Sequence, residues 1–161
     1  MSIFIFSKPI HSGKTTALMQ WCKRNTNCAG ILMPDMDGNR KMYSIQDSSF
    51  FEVSCQPSFA IQENVISIGR YTFYKEAFNK ANAIITSALT SSVEWILIDE
   101  VGKLEINGNG FSPAVKKAVK AAAAKTFKGH LLLVVRDTLL NEVVKEFGIE
   151  KYEVLSVLPK E

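Results

Sequence analysis

Three short, nearly unbroken apolar runs punctuate the chain: Ile3 to Phe6, Trp95 to Ile98 and Leu131 to Val135. None alternates with polar residues as a strand with one wet face would. Such runs predict strands covered on both faces, as in a parallel sheet. Helical rhythm fills the intervals. Leu18, Met19 and Cys22 follow the first run, and Tyr74, Ala77, Phe78, Ala81, Ile85, Ala88 and Leu89 keep a longer one. Val115, Ala118, Val119 and Ala122 repeat it, with Ser112-Pro113 offering a cap and a first-turn proline. Leu140, Val143, Val144 and Phe147 close the series at Gly148.

Strands alternating with helices imply an α/β layer architecture with helices on both faces of the sheet. The stretch from about 29 to 69 reads differently. Ile31 to Pro34, a turn at Asp37-Gly38, and Lys41 to Ile45 predict a β-hairpin, and Phe50 to Ser54 a further strand. With neither repeats nor a linker-like stretch, residues 1–161 are expected to form one domain carrying a β-rich insert over about 29–69.

Chemistry enters at the turn after the first apolar run. Gly13-Lys14-Thr15-Thr16 stands where a first strand would pass into a first helix, a place where backbone N–H groups converge on an anion. The surrounding residues Lys8, Pro9, Ile10, His11 and Ser12 complete the candidate phosphate loop. Lys14 would reach the β- and γ-phosphates, and the Thr15 hydroxyl would ligate Mg²⁺. The full pattern has glycine five positions before Gly13, and this chain has Lys8 there. His11, inside the loop, is placed to donate a hydrogen bond to phosphate.

The second apolar run ends in Asp99-Glu100, two carboxylates at the carboxyl end of a buried strand, where open α/β sheets bind their ligands. Asp99 is the candidate Mg²⁺ ligand and Glu100 the candidate base for an attacking water. Phosphoryl transfer also needs positive charge where negative charge develops. Arg136, after the third run, is the best placed arginine for that task, with Arg70 and Arg40 behind it.

Other features narrow the field. A net charge of +3 suits anionic phosphates but falls short of a nucleic-acid-binding pattern, so no nucleic acid partner is expected. Lys116, Lys117, Lys120 and Lys125 lack interleaved aromatics and read as a solvated helix face. Asn79-Lys80-Ala81-Asn82 imitates a guanine-reading signature without its aspartate, inside a helical pattern. Cys22, Cys28 and Cys55 have no metal-like spacing and read as reduced thiols. No apolar stretch reaches membrane-spanning length and no leader pattern precedes Ile3, so a cytoplasmic location is expected and no protein partner is indicated.

The sequence resembles the THEP-type nucleoside-triphosphatases. The resemblance rests on Gly13-Lys14-Thr15-Thr16 and on Ile98-Asp99-Glu100-Val101-Gly102-Lys103-Leu104-Glu105, close to the family's Ile-Asp-Glu-[Ile/Val]-Gly-Lys-Met-Glu. Ala29-Gly30, Gly69-Arg70-Tyr71 and Arg136-Asp137 match in the same order. Members carry Gly-x-x-Gly-x-Gly-Lys-Thr-Thr, and here Lys8 and His11 stand at two of those glycines, which would reshape the cradle or add a compensating cation. The resemblance implies Mg²⁺-dependent hydrolysis of ATP, GTP and other nucleoside triphosphates, with Val101, Gly102 and Lys103 beside the nucleotide. Alternatives are a nucleotide or nucleoside kinase and a nucleotide-binding regulatory module without turnover. The expected fold is a P-loop, RecA-like, three-layer α/β/α sandwich with a mostly parallel sheet and a small β-hairpin insert.

Overall fold

A computed structural model of the chain describes residues 2–9, 12–56, 58 and 60–159. The three apolar runs form β1 (Ser2–Lys8), β8 (Trp95–Val101) and β9 (His130–Arg136). The remaining strands are β2 (Cys28–Leu32), β3 (Asp35–Met36), β4 (Asn39–Ser44), β5 (Ser49–Glu52), β6 (Val65–Ile68), β7 (Tyr71–Tyr74) and β10 (Glu153–Leu155). The main sheet runs β10-β1-β9-β8-β2-β4-β3, with β5 on β4. From β10 through β2 every pairing is parallel, and β4 begins the antiparallel extension. In this RecA-like order β9 lies between β1 and β8.

Pleating sorts the continuous apolar strands onto two faces, because successive side chains point opposite ways. Ile3, Ile5, Ile96, Ile98, Leu131, Leu133 and Val135 enter one core with α2 (Lys75–Ala88), α4 (Ser112–Ala123) and α5 (Leu140–Glu146). Phe6, Trp95, Leu97, Leu132 and Val134 enter the other with Leu18 and Trp21 of α1 (Lys14–Arg24). Helices therefore cover both faces, giving the three layers. The Trp21 indole N–H donates to Pro159 O at 2.9 Å, drawing the chain's last described segment over α1.

The expected hairpin is present: Ile31 and Leu32 end β2 and pair antiparallel with Ser44 and Tyr43 of β4, while β2 also pairs in parallel with β8 and the short β3 pairs with the start of β4. Two expectations need correction. Tyr74 closes β7 and caps α2 rather than lying within the helix. Ser112 is the first residue of α4 and makes no cap bond. Asn82 of α2 supplies that function across space: its Oδ1 accepts the Ala114 N–H at 3.1 Å and its Nδ2 donates to Gly110 O at 2.9 Å. Asn79 and Lys80 are exposed, so the guanine-like signature has no shared site.

Two packing details fix the region below the carboxyl edge. Gly30, at φ 121°, lets β2 close on β8; a Cβ there would sit 2.0 Å from Leu97 O. Glu105, in the short α3 (Lys103–Ile106), is only 2% exposed. The resemblance places this residue in a loop beside the site, and without it the chain reads there as an exposed connection; instead it sits in a helix, where its Oε2 accepts the Gly102 N–H at 2.8 Å and its Oε1 the Phe111 N–H at 2.9 Å. Burial pushes its carboxyl up to about 7, against the pull of those N–H groups.

Gly30→Ala is expected to destabilise by more than about 3 kcal/mol, because backbone must move to admit the methyl; a melting temperature like wild type's would contradict that packing. Glu105 has a folded pKa above its unfolded value of 4.5, so the folded state holds the proton more tightly. Its contribution is full below the unfolded value and is lost as pH rises through about 7. The stability difference between wild type and Glu105→Gln should therefore shrink between pH 4.5 and 8, by up to about 3 kcal/mol. Urea titrations giving the same difference at both ends would rule this out.

Candidate functional site

The candidate site forms where β1, β8 and β9 end together. After β1 the chain reaches Gly13 at φ 74°, left-handed backbone that glycine adopts without steric cost, and α1 starts at Lys14. Lys14 is 9% exposed, and its Nζ donates to Pro9 O at 2.8 Å, Lys8 O at 3.3 Å and Ser12 Oγ at 3.5 Å. The ammonium thus sits within the curve of its own loop. The Lys8 side chain lies over the Phe6 ring at 5.3 Å, and Lys8 pairs in register with Arg136 at the end of β9. Thr16 is exposed in the first turn of α1. Ile10 and His11 lie outside the described residues.

Asp99 meets this loop. Its carboxylate is 1% exposed and accepts three hydrogen bonds: from Thr15 Oγ1 at 2.7 Å and Met33 N at 3.1 Å on Oδ2, and from Glu100 N at 2.9 Å on Oδ1. Burial and the adjacent Glu100 carboxylate push its pKa up to about 6, and the three donors resist. Buried carboxylates are costly unless so bonded. Residues 84 positions apart are thereby fixed in hydrogen-bonding contact.

One extra residue in β8 then turns the chain. The β8–β9 register slips between Ile98 and Val101, and Glu100 has φ 59°, rare for a residue with a side chain. Its carboxylate receives Arg40, whose Nη1 donates to Glu100 Oε1 at 3.0 Å and to Met33 O at 3.1 Å. The pair is 16% and 29% exposed, so water screens it less than a surface pair. Burial works to lower the Arg40 pKa, but Glu100 and Tyr71 outweigh it and hold the guanidinium above its ordinary value. Tyr71 lies between two arginines, with Arg40 5.7 Å and Arg70 5.0 Å from its ring centre.

These groups border one cleft of about 310 Å³, reached by Lys14, Arg40, Arg70, Glu100, Val101, Gly102, Lys103 and Arg136. Its deeper wall is apolar, with Phe73, Phe78, Phe111 and Leu139. Of the sequence-derived site residues, Lys14, Glu100, Val101, Gly102, Lys103 and Arg136 border this cleft, and Thr15 and Asp99 meet each other through their hydrogen bond. Arg136 faces the cleft, and its neighbour Asp137 is engaged by the Thr138 N–H at 2.9 Å.

The donor set at Thr15 and Asp99 suits a hard divalent cation, being hydroxyl and carboxylate oxygen. Among the described residues no group of three or more His, Cys, Asp or Glu could hold a metal. A cation here would complete its shell with phosphate and water, the usual manner of Mg²⁺.

Sequence reading underrated Arg40 and missed the β6–β7 hairpin that carries Arg70 and Tyr71. The hairpin had a signal: Ile66 and Ile68 alternate, Tyr71 and Phe73 alternate, and two residues beginning with Gly69 separate them. The Arg40–Glu100 contact, 60 residues apart in sequence, had none.

Comparison with known proteins fits this geometry. Among solved structures, the fold is similar to the crystal structure of THEP1 from the hyperthermophile Aquifex aeolicus, with TM-score 0.71 and 18% identity over 99% of this chain and 91% of that one. It is also similar to the solution structure of a human cancer-related nucleoside triphosphatase, with TM-score 0.64 and 18% identity over 99% and 89%. No curated protein matches. A family model described as NTPase matches residues 2–161, phosphate loop and paired carboxylates included. The chain belongs to that NTPase family.

Proposed function

We propose that the protein hydrolyses nucleoside triphosphates, ATP and GTP among them, to the diphosphate and inorganic phosphate with Mg²⁺. The observation that carries this reading is the 2.7 Å hydrogen bond from Thr15 to Asp99, which sets the glycine-lysine turn against the paired carboxylates. In this reading the backbone N–H groups at the start of α1 bind the β-phosphate, and Lys14 leaves its loop carbonyls for the β- and γ-phosphate oxygens. Thr15 and Asp99 would hold Mg²⁺, which supplies charge neutralisation across those oxygens when bound. Glu100 orients a water and takes its proton as the oxygen attacks phosphorus. Arg136, with Lys103 beside it, adds positive charge at the cleft. The family match and the name of the human structural neighbour support a nucleotide substrate.

A second reading, transfer of the γ-phosphoryl group to an acceptor, is favoured by one observation: beyond Glu100 the cleft has an aromatic wall of Phe73, Phe78 and Phe111, which a water nucleophile does not require.

Phosphate release from ATP, GTP, CTP and UTP, with and without Mg²⁺, separates the readings. Hydrolysis gives diphosphate and free phosphate in equal amounts; transfer gives diphosphate in excess once an acceptor is added. Lys14→Ala should lower kcat/KM by about 100-fold or more, as loss of a charge-stabilising donor does. Equal release by wild type and this variant would sink the proposal. Glu100→Gln should lose about 10²- to 10⁴-fold in kcat while still binding nucleotide; unchanged kcat would remove Glu100 from the role of base.

A further inference from the structure

Glu100 is expected to accept a proton from water, yet its carboxylate is engaged by a guanidinium at 3.0 Å. The guanidinium belongs to Arg40 on β4, in the antiparallel extension of the sheet, and reaches the same cleft as Lys14. Its Nη1 donates to Glu100 and to Met33 O, and Tyr71 also engages the guanidinium. That planar fork of donors is the group that grips phosphate oxygens bidentately. Met33 links the two halves of the site: its N–H donates to Asp99 at 3.1 Å while its carbonyl accepts from Arg40 at 3.1 Å.

Building on the phosphate-loop reading above, we infer that Arg40 is a γ-phosphate-sensing residue that exchanges Glu100 for the terminal phosphate of a nucleoside triphosphate. The γ-phosphate carries more negative charge than one carboxylate and offers oxygens to a planar fork, so it competes for the guanidinium. The exchange releases Glu100 for its water at the moment a hydrolysable phosphate arrives. A diphosphate has no γ-phosphate to offer, and Arg40 stays with Glu100. The resting contact thus confers preference for triphosphate over product, and it withholds the base from the diphosphate-bound enzyme. Tyr71 backs Arg40 from the β7 side at 5.7 Å and is itself bonded by Arg70 at 2.9 Å, which limits where the guanidinium can swing.

Binding separates this role from a merely structural one. With Mg²⁺ present, calorimetry compares the imido analogues of ATP and GTP with ADP and GDP. Arg40→Gln should weaken the triphosphate analogues about 10-fold or more and leave the diphosphates within about twofold, because only the γ-phosphate contact is lost. Arg40→Lys, which keeps charge but not the fork, should fall between. Glu100→Gln frees Arg40 in advance and should tighten the triphosphate analogues about fivefold; in Arg40→Gln/Glu100→Gln that gain should vanish. Unchanged diphosphate affinity also reports that the variants are folded. Equal weakening of tri- and diphosphates by Arg40→Gln, or a Glu100→Gln gain that survives without Arg40, overturns the inference alone. Wild type that binds neither nucleotide overturns the phosphate-loop reading and this inference with it.

Discussion

A buried carboxylate organises the carboxyl edge of this sheet. Asp99 is almost without solvent, and such a group is tolerable only if neighbouring donors replace its lost hydration. Three do so: the Thr15 hydroxyl from the first turn of α1, the Met33 N–H just beyond β2, and the Glu100 N–H next in chain. Each donor comes from a different part of the fold. Satisfying Asp99 therefore requires the glycine turn, the second sheet strand and the end of β8 to be in place together. Chemistry and folding impose the same geometry here.

Around that carboxylate the structure departs from regularity in a few places, and each departure aims a side chain. The extra residue in β8 and the left-handed backbone of Glu100 turn its carboxylate toward Arg40. Gly13 admits the sharp entry into α1, which brings Lys14 back beneath its own loop carbonyls. Glu105, tied to Gly102 and Phe111, secures the segment that borders the cleft after β8. Such strain is tolerated where surrounding packing over-determines it, and the buried apolar runs of β8 and β9, Trp95 to Ile98 and Leu131 to Val135, supply that packing.

The parts of this arrangement legible in the sequence are those governed by local chemistry or by burial on both faces. Ile3 to Phe6, Trp95 to Ile98 and Leu131 to Val135 could only be central strands, and Gly13 to Thr16 with Asp99-Glu100 marked one edge. Less legible was the region where short amphipathic segments compete. Ile31 and Leu32 look like a hairpin arm because a turn follows at Asp37-Gly38, and they are one, paired with Ser44 and Tyr43; their burial on both faces also joins them to the parallel sheet through β8. Tyr74 keeps the spacing of the following helix while pairing with Val65 as a strand. Arg40 and Asn82 gain their roles only through contacts made by tertiary packing, Arg40 with Glu100 and Asn82 with Gly110 and Ala114. No periodicity announces such contacts.

The claim on which the rest depends is that the loop before α1 and the end of β8 form one nucleotide site joined through Asp99. A crystal structure with a non-hydrolysable nucleoside triphosphate analogue and Mg²⁺ tests it most directly. The account predicts the β-phosphate against the N–H groups of residues 13–15, with Lys14 Nζ moved from Pro9 O to phosphate and the metal touching Thr15. A nucleotide bound elsewhere, with Lys14 still on its loop carbonyls, would contradict it.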